Sequence, residues 1–326
     1  MGMPTVISVF AGCGGSSLGY GMAGFRELLA IDFDRLACET FAANFPDVPV
    51  WQKDVCGISA EEILAFCKIE KGELDVLDGS PPCQGFSLSG KRRVCDLRND
   101  LFREYVRLID GLRPKAFVME NVRAMAMGSM KGRFREIILA LKSLPYRVEC
   151  RNLNAMWYGI PQSRERLFFI GIRNDLKRKP VWPVHTIKRP ITIEESFRGL
   201  GNTNRPIEAS SERHSKSVLD AWHKSKPGQS LRKACKFVGS FQSCRIDKNK
   251  VSPTLVAGHR HWHYAEPRYL TDLELKRICS FPDDFVLAGS KSQRVRLLGN
   301  SVMPLQMKAI AETIRERILG KKRKGK

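Results

Sequence analysis

Short apolar runs alternate with amphipathic stretches through the first half of the chain. The apolar runs predict strands at residues 5–10, 28–31, 74–77, 116–119 and 167–172. Helical spacing between them predicts helices from a Ser59–Glu62 capping box to about residue 69, at about 99–112 and at about 132–143. This alternation is typical of a mostly parallel sheet with helices on both faces. We therefore predict a doubly wound α/β domain.

The pattern changes from about residue 174 to residue 266. Long helices stop, and Gly, Pro and Ser interrupt the sequence often. A second capping box, Thr271 with Glu274, then opens a helix at about 272–280, and a last helix is predicted at 303–319. We predict one domain from residues 1–175 and 267–320, a smaller, irregular and strand-rich inserted domain at 176–266, and a basic disordered tail at 321–326.

The chain is strongly basic. Its 326 residues include 55 Lys and Arg against 34 Asp and Glu, which gives a net charge of +21 and a pI near 9.8. Such an excess attracts polyanions, and nucleic acid is the commonest polyanion inside a cell. Charge alone is equally compatible with a solubility device. The segment 174–266 adds to the picture because it holds 18 Lys and Arg against 8 Asp and Glu, together with all six histidines.

Ten cysteines are scattered along the chain without a CxxC pair, so neither a zinc ribbon nor a dithiol redox site is indicated. Scattered thiols suit a reducing cytoplasm better than a disulfide scaffold. The first 25 residues show no secretory signal, and no run approaches the roughly 18 apolar residues of a membrane helix. We expect a soluble intracellular protein without membrane contact.

A glycine-rich loop with Gly12 and Gly14 follows the first predicted strand. Glycines let the backbone approach a ligand closely where a helix begins. Asp32 lies twenty residues after Gly12, the spacing at which an acid meets the ribose of an adenosine cofactor. These features fit NAD and S-adenosylmethionine equally, and a glycine turn without a ligand is the alternative.

Cys83 lies in PPCQGFS, a polar loop after a predicted strand end. A loop of prolines and glycines is a poor place to bury a thiol, so we favour a presented nucleophile over a packed cysteine. No histidine occurs before His185, which excludes a local Cys–His dyad. The residues after Cys83 do not form the PCxxC of a zinc deaminase. Carboxylates, arginines and the substrate itself must activate the thiol.

Glu120 ends the apolar run AFVM, and a buried carboxyl group there can serve as a proton donor. A structural cap for the next helix is the alternative. Arg164 and Arg166 lead into the strand at 167–172, where they can reach a carbonyl oxygen or a phosphate. A solvated salt-bridge face is the alternative for both arginines.

The histidines of HRHWH alternate at positions 259, 261 and 263. Alternate residues of a strand face one way, and three such side chains could hold a metal. No Cys or carboxylate follows at ligand spacing, however, and a strand facing DNA explains the composition as well. We predict no metal.

Together these features resemble the DNA (cytosine-5)-methyltransferases of bacteria and phages. The resemblance lies in FAGCGG, AIDFD, PPCQGFS, MENV, QSRERLFFIG, RYLTDLELKRICSFPDDF and GNSVMP, which occur in that family's order. Only residues 180–265 or so are unmatched, apart from SPTL at 252–255. The resemblance implies a Rossmann-like, S-adenosylmethionine-dependent methyltransferase fold, with residues 176–266 as the target-recognition domain and the rest as the catalytic and cofactor-binding domain.

The resemblance implies S-adenosyl-L-methionine as cofactor and S-adenosyl-L-homocysteine as its product, with no metal. Asp32 is the implied ribose ligand, and it stands where many members have Glu. Phe33 is implied to pack on the adenine. The implied cofactor residues are Phe10, Gly12, Gly14, Asp32, Phe33, Asp54, Val55, Pro82, Leu101, Asn300 and Val302.

In the catalytic site that the resemblance implies, Cys83 attacks carbon 6 of a cytosine flipped out of double-stranded DNA. Glu120 holds and protonates ring nitrogen 3, Arg166 holds the ring oxygen, and Arg164 belongs to the same motif. A loop at 87–93 is implied to close over the DNA. The implied DNA contacts are Ser87, Ser89, Lys91, Arg92, Arg93, Thr254 and Leu255.

Three other functions compete with this one. A tRNA cytosine-5 methyltransferase shares the core motifs, but typically has Pro and Thr where this chain has Gly85 and Ser87, and carries a Cys-Phe-Thr signature that is missing here. A catalytically inactive DNA-binding relative would not need an intact Cys83. An NAD oxidoreductase explains the glycine loop and Asp32 and nothing after them.

We expect a monomer in the bacterial cytoplasm or nucleoid, with a cognate restriction endonuclease acting separately. The insert carries no residue-to-base code that reveals the recognition sequence.

Overall fold

The apolar runs of the first half form one seven-stranded sheet in the computed structural model, which describes residues 2–82, 101–200, 214–234, 243–257 and 261–320. The strand order is β3-β2-β1-β4-β5-β7-β6. The strands are β1 (Thr5–Val9), β2 (Arg26–Asp32), β3 (Val50–Gln52), β4 (Val76–Gly79), β5 (Ala116–Val122), β6 (Tyr146–Asn154) and β7 (Glu165–Arg173).

Five strands from β3 to β5 run parallel, whereas β7 pairs antiparallel with β5. The helices around the sheet are α1 (Gly15–Met22), α2 (Arg35–Asn44), α3 (Ala60–Cys67), α4 (Leu101–Leu112), α5 (Lys131–Lys142) and, after the second unit described below, α11 (Pro304–Ile314), which passes into a π-helical turn at Arg315–Leu319. The prediction of a doubly wound, mostly parallel α/β sheet is confirmed.

Packing divides the chain into two units. The first comprises Met1–Leu153, Glu165–Val184 and Gln306–Lys326, and the second comprises Asn154–Arg164 and His185–Leu305. The predicted division into a catalytic and a target-recognition domain is a division by function, and it remains a prediction.

Two predicted strands were given ends that lie two or more residues too early. β4 runs to Gly79 and not to residue 77. β5 runs on through Glu120 and Asn121 to Val122, because its backbone ladder with β7 continues past the last apolar residue. The predicted capping box at the start of α3 is half formed. The hydroxyl of Ser59 accepts a hydrogen bond from the Glu62 amide at 3.0 Å, while the Glu62 carboxylate pairs with Lys53 Nζ at 2.6 Å.

The largest apolar cluster of the first unit packs the odd-numbered side chains of β1, β4 and β5 against α3, α4 and α5. Tyr105 of α4 is fully buried in it, and its hydroxyl lies within hydrogen-bond distance of the carbonyl oxygens of Leu77 and Val118, at 2.9 and 2.8 Å. Gly171 of β7 leaves room for the ring of Phe117 on β5. These contacts fix the strands whose opposite face carries Glu120.

The second unit contains short helices: α6 (Ile193–Ser196), α7 (Lys216–Lys224), α8 (Leu231–Ala234), α9 (Asp272–Ile278) and α10 (Lys291–Asn300). Its predicted strand-rich character is not met in the described residues, which form isolated bridges instead. Residues such as Pro227, Gly228 and Pro253 interrupt the alternation before a ladder can extend. The predicted capping box of Thr271 and Glu274 is present at α9.

A small aromatic core supports the second unit. Trp222, Leu231 and Trp262 are buried together, with Tyr269 packed against them. The guanidinium of Arg245 lies 3.8 Å from the centre of a Trp222 ring. Within the described ranges, no helix is both long and apolar enough to span a membrane.

The contact of Phe117 with Gly171 is open to test by Gly171→Ala. An added Cβ would lie 2.0 Å from Phe117 Cε1, so the substitution should lower the free energy of unfolding by about 1–3 kcal/mol through overpacking. Gly132→Ala in α5 is the control, since nothing lies within 4 Å of its added Cβ. Urea unfolding measures both, and equal stability of the two variants would contradict this account.

Candidate active site

The predicted cofactor loop lies between β1 and α1, at the carboxyl end of β1. Phe10, Gly12 and Gly14 all have positive φ, of 56°, 57° and 90°. Gly14 must be glycine, because an added Cβ would lie 2.4 Å from a ring carbon of Phe45. Around Gly12, by contrast, nothing lies within 4 Å of an added Cβ, so the backbone there is open to a ligand.

Asp32, the last residue of β2, fixes this loop. Its Oδ2 accepts a hydrogen bond from the Gly12 amide at 2.8 Å, and its Oδ1 accepts one from the Asp34 amide at 2.9 Å. Burial raises the pKa of Asp32, and the two amides oppose that shift by favouring the charged form. A carboxylate has about four lone pairs, so beside the amides of Gly12, Asp34 and Phe33 it can still accept a ribose hydroxyl.

The other predicted cofactor residues of the first unit follow neighbouring strand ends. Phe33 presents its side chain to solvent, with 68% of the residue exposed. Asp54 caps the short turn after β3 by accepting from the Cys56 amide at 3.0 Å, and the buried Val55 follows it. Pro82 follows β4, and Leu101 is the first residue of α4.

Asn300 and Val302 belong to the second unit, at the end of α10 and just after it. Asn300 is exposed and Val302 is buried. The roles of all these residues toward a cofactor stay predictions.

Glu120, the predicted acid, and Arg166 form an ion pair in the structure. Arg166 of β7 pairs with Glu120 of β5, with Nε and Oε1 2.9 Å apart and the two side chains 13% and 11% exposed. Arg166 also donates from Nη1 to the Glu165 carbonyl oxygen at 2.8 Å. Burial lowers the pKa of Arg166, and Glu120 opposes that shift. The result is an adjacent carboxyl group and guanidinium, which can bind two neighbouring polar atoms of one planar substrate.

Asn121, next to Glu120, organises the loop after β4. Its Nδ2 donates to the Pro81 carbonyl oxygen at 3.0 Å, and the residue is 5% exposed. Cys83, Ser87, Ser89, Lys91, Arg92 and Arg93 lie outside the described residues.

The structure gives Arg164 partners other than a substrate, and its predicted catalytic role stays a prediction. Arg164 is 2% exposed, and its guanidinium donates to the carbonyl oxygens of Leu255 (2.9 Å), Gly299 (3.0 Å) and Ser301 (2.9 Å). A guanidinium that binds three backbone carbonyls organises the second unit. Arg166, two residues further on, differs because its partner is a side-chain carboxylate.

Leu255, which was predicted to contact DNA, is fully buried, and its role toward DNA stays a prediction. Thr254 is partly buried, and its hydroxyl donates to the Ser163 carbonyl oxygen at 2.7 Å. The Leu255 amide donates to Gln162 Oε1 at 3.1 Å. Hydrogen bonds therefore join the segment 252–255 to residues 161–164.

The histidines of the second unit are embedded in its packing. His261 is 1% exposed, and its Nε2 lies 3.2 Å from the Pro253 carbonyl oxygen. His263 lies 3.7 Å from the carboxylate of Glu274. Within the described ranges no group of three metal-binding side chains is found, and His259 lies outside them.

The sequence analysis missed two carboxyl groups in the first unit, of which Asp78 is buried and Glu27 is partly buried. Asp78 of β4 accepts from the hydroxyls of Ser16 and Tyr20, and Glu27 of β2 accepts from Ser17 at 2.9 Å. The signal was present in VLDG, where a carboxylate interrupts a short buried run.

Solved structures define the class of protein. A putative DNA modification methyltransferase encoded within a prophage of E. coli matches with a TM-score of 0.82 and 28% identity, over 98% of this chain and 100% of that one. The Dnmt2 methyltransferase of S. pombe matches in fold, with a TM-score of 0.66 and 17% identity over 96% and 98% of the two chains. The fold is that of S-adenosylmethionine-dependent DNA methyltransferases.

Sequence comparisons give the family. The sequence profile of the C-5 cytosine-specific DNA methylases matches residues 4–316. The Type II methyltransferase M1.HphI of Haemophilus parahaemolyticus is 36% identical, over 95% of this chain and 86% of the relative. M.DdeI of Desulfomicrobium norvegicum is 31% identical, over 95% and 88%. The chain belongs to the C-5 cytosine-specific DNA methylase family and is a DNA (cytosine-5)-methyltransferase.

The structural role of Arg164 predicts the effect of Arg164→Lys. An ammonium cannot span all three carbonyl oxygens, and the loss of two charged hydrogen bonds should lower the free energy of unfolding by about 2–4 kcal/mol. Arg35→Lys is the matched control, because Arg35 forms an exposed pair with Glu39. Thermal unfolding measures the stability of both variants. Wild-type stability with loss of methyl transfer alone would instead place Arg164 at the substrate.

Proposed function

We propose that this enzyme methylates carbon 5 of a cytosine within a specific double-stranded DNA sequence, with Cys83 as nucleophile and Glu120 and Arg166 as the groups that hold the base. The ion pair of Glu120 with Arg166 is the observation that carries this assignment. Cytosine presents a ring nitrogen and a ring oxygen side by side, and a neighbouring acid and guanidinium match those two atoms.

Family membership implies S-adenosylmethionine as the methyl donor. The residues of the first unit fit such a group. The backbone at Gly12 is open, Asp32 offers acceptor lone pairs at a strand end, and Phe33 presents an exposed ring. We assign the ribose to Asp32 and the adenine to Phe33, Asp54 and Val55. The bound sulfonium supplies an electrophilic methyl group.

The protein groups handle the base and its protons. The Cys83 thiolate adds to carbon 6, forming an Sγ–C bond, while Glu120 donates a proton to ring nitrogen 3 and Arg166 holds the ring oxygen. Carbon 5 thereby gains enamine character and becomes nucleophilic. After carbon 5 is methylated, it loses its proton to the solvent, the electron pair of that C–H bond re-forms the ring double bond, and the Sγ–C bond breaks. The thiolate is regenerated, and Glu120 recovers its proton from nitrogen 3.

Access to the base requires its extrusion from the stacked duplex, at a cost of a few kcal/mol. We assign residues 176–266 to DNA recognition, because the surplus of Lys and Arg in this part of the chain suits phosphate contacts that offset this cost. The loop at 87–93, with Lys91, Arg92 and Arg93, and the hydroxyl of Thr254 remain proposed DNA contacts.

The curated relatives named above are Type II methyltransferases of bacteria. We infer from them that this enzyme acts on bacterial DNA and that a separate restriction endonuclease shares its recognition sequence; the monomeric state and the cytoplasmic location stay predictions from the sequence.

The nucleophile is tested by Cys83→Ser. This variant should lose methyl transfer while it keeps duplex binding, because binding rests on phosphate and base contacts. DNA containing 5-fluorocytosine should trap the wild type in a covalent complex, since fluorine cannot leave as a proton. Cys67→Ser is the control and should still be trapped. Gel analysis of the adduct and bisulfite sequencing decide the matter, and turnover by Cys83→Ser would overturn the assignment.

The cofactor site is tested by thermal stabilisation. S-adenosylhomocysteine should raise the Tm by linkage, whereas NAD should leave it unchanged. Asp32→Asn should weaken the binding of S-adenosylhomocysteine at least about tenfold, which removes about 1.4 kcal/mol of stabilisation at saturating ligand. Asp47→Asn, at an exposed site, should respond like the wild type. Stabilisation by NAD and not by the homocysteine product would refute the cofactor assignment.

A further inference from the structure

Asp78 lies inside the sheet on the same face as Glu120. It pairs with Ser8 of β1 and with Val118 of β5, and Glu120 follows Val118 by two residues. Because strand side chains alternate with a period of two, Ser8, Asp78, Val118 and Glu120 share one face. Asp78 is 3% exposed. A carboxyl group at this position must be neutral or well compensated.

The partners of Asp78 come from α1, the helix that follows the cofactor loop. Ser16 Oγ donates to Asp78 Oδ2 at 2.5 Å, and the Tyr20 hydroxyl donates to Oδ1 at 3.3 Å. Asp78 itself belongs to β4, which leads to Pro81, Pro82 and Cys83 along the chain. These two hydrogen bonds tie the start of α1 to β4, the strand that precedes the proposed nucleophile in the sequence.

The charge state of Asp78 is finely balanced. Burial raises its pKa to about 7, the hydroxyls of Ser16 and Tyr20 lower it, and the negative charge of Glu120 raises it. Asp78 in turn raises the pKa of Glu27, which burial brings to about 8. The groups on the face of Asp78 are Ser16 and Tyr20 from α1, Glu27 from β2 and Glu120, with its partner Arg166, from β5 and β7; Tyr105 of α4 interacts with Asp78 electrostatically from the other face of the sheet.

We propose that Asp78 is a positioning residue for methyl transfer: it holds α1 against β4, and its charge contributes to the electrostatic field at the Glu120–Arg166 pair. The proposal rests on the proposed function. When Glu120 gives its proton to the base it becomes a carboxylate. A neutral Asp78 leaves that carboxylate paired with Arg166 alone, whereas an ionised Asp78 opposes it with a second negative charge. Methyl transfer is therefore slowed as Asp78 ionises.

The test is the pH dependence of single-turnover methyl transfer between about pH 6 and pH 8.5. Cys83 ionises in both the wild type and the variant, so its contribution to the pH dependence cancels in the ratio of the two rates. The ratio of the Asp78→Asn rate to the wild-type rate should rise roughly two- to tenfold across this range, the scale of one hydrogen bond or charge contact. A ratio that does not change with pH would show that Asp78 contributes only to packing, and it would overturn the proposal.

Ser16→Ala and Ser17→Ala supply a second, matched comparison. Ser16 favours the ionised form of Asp78, so Ser16→Ala should move the alkaline decline in rate to higher pH. Ser17 donates to Glu27 and not to Asp78 in the described structure, so Ser17→Ala should leave the decline in place. Identical profiles for the two variants would count against the proposal, even if Asp78→Asn failed to fold.

The same samples separate this proposal from the function on which it rests. Wild-type protein that neither methylates cytosine nor is trapped by 5-fluorocytosine DNA would refute the proposed function. Wild-type protein that does both, beside an Asp78→Asn variant with an unchanged pH profile, would refute the role of Asp78 alone.

Discussion

The antiparallel pairing of β5 with β7 is the constraint on which the candidate site depends. Glu120 lies near the carboxyl end of β5, and Arg166 lies at the amino end of β7. Only an antiparallel neighbour brings its beginning to the edge where the parallel strands end. In a sheet with every strand parallel, Arg166 would lie at the opposite edge from Glu120, Asp32 and the glycine loop. One reversed strand therefore places a cation among the acids and backbone amides of this edge.

The pairing also makes the position of each partner dependent on the other. Both side chains are nearly buried, and removal of one partner from a buried pair typically costs about 3–5 kcal/mol because the other charge is left uncompensated. The register Val122–Arg166 and Glu120–Phe168 holds the two groups diagonally across the ladder on one face. A pair fixed in this way presents its unused atoms in a constant geometry, which is what recognition of a planar base requires.

The sequence was sufficient for the architecture and for the residues at strand ends. Buried strands are visible in the sequence as apolar runs. One such run ends next to Asp32, which is the last residue of β2 in the structure. Glu120 was placed after its strand, since a charge after AFVM looks like a terminator. Arg166, which is distant in the sequence, pairs with Glu120 and allows the strand to continue. The residues next to Glu120 in the sequence do not indicate this partner.

The two arginines of QSRERLFF are a second case in which the sequence does not reveal the partners of a side chain. They have the same residue type and lie two positions apart, yet Arg164 binds three backbone carbonyls and Arg166 binds a carboxylate. Leu255 was assigned to DNA from its motif, although its side chain is fully buried. A motif records that a residue matters to the family. It does not record whether the residue contacts the substrate or supports the residues that do, and only packing separates the two.

Directional polar contacts explain why carboxyl groups lie beneath the cofactor loop where apolar residues would cost less. Apolar contacts between α1 and the sheet are tolerant of small sliding movements, because dispersion and the hydrophobic effect depend weakly on orientation. The hydrogen bonds of Ser16 and Tyr20 to Asp78, and of Ser17 to Glu27, are not. They fix the register of α1 on β2 and β4, and with it the position of Gly12 and Gly14. Asp78 and Glu27 thus align the cofactor loop with the sheet. Burial raises the pKa of Asp78 to about 7 and that of Glu27 to about 8, so the strength of these contacts depends on whether the two carboxyl groups are protonated.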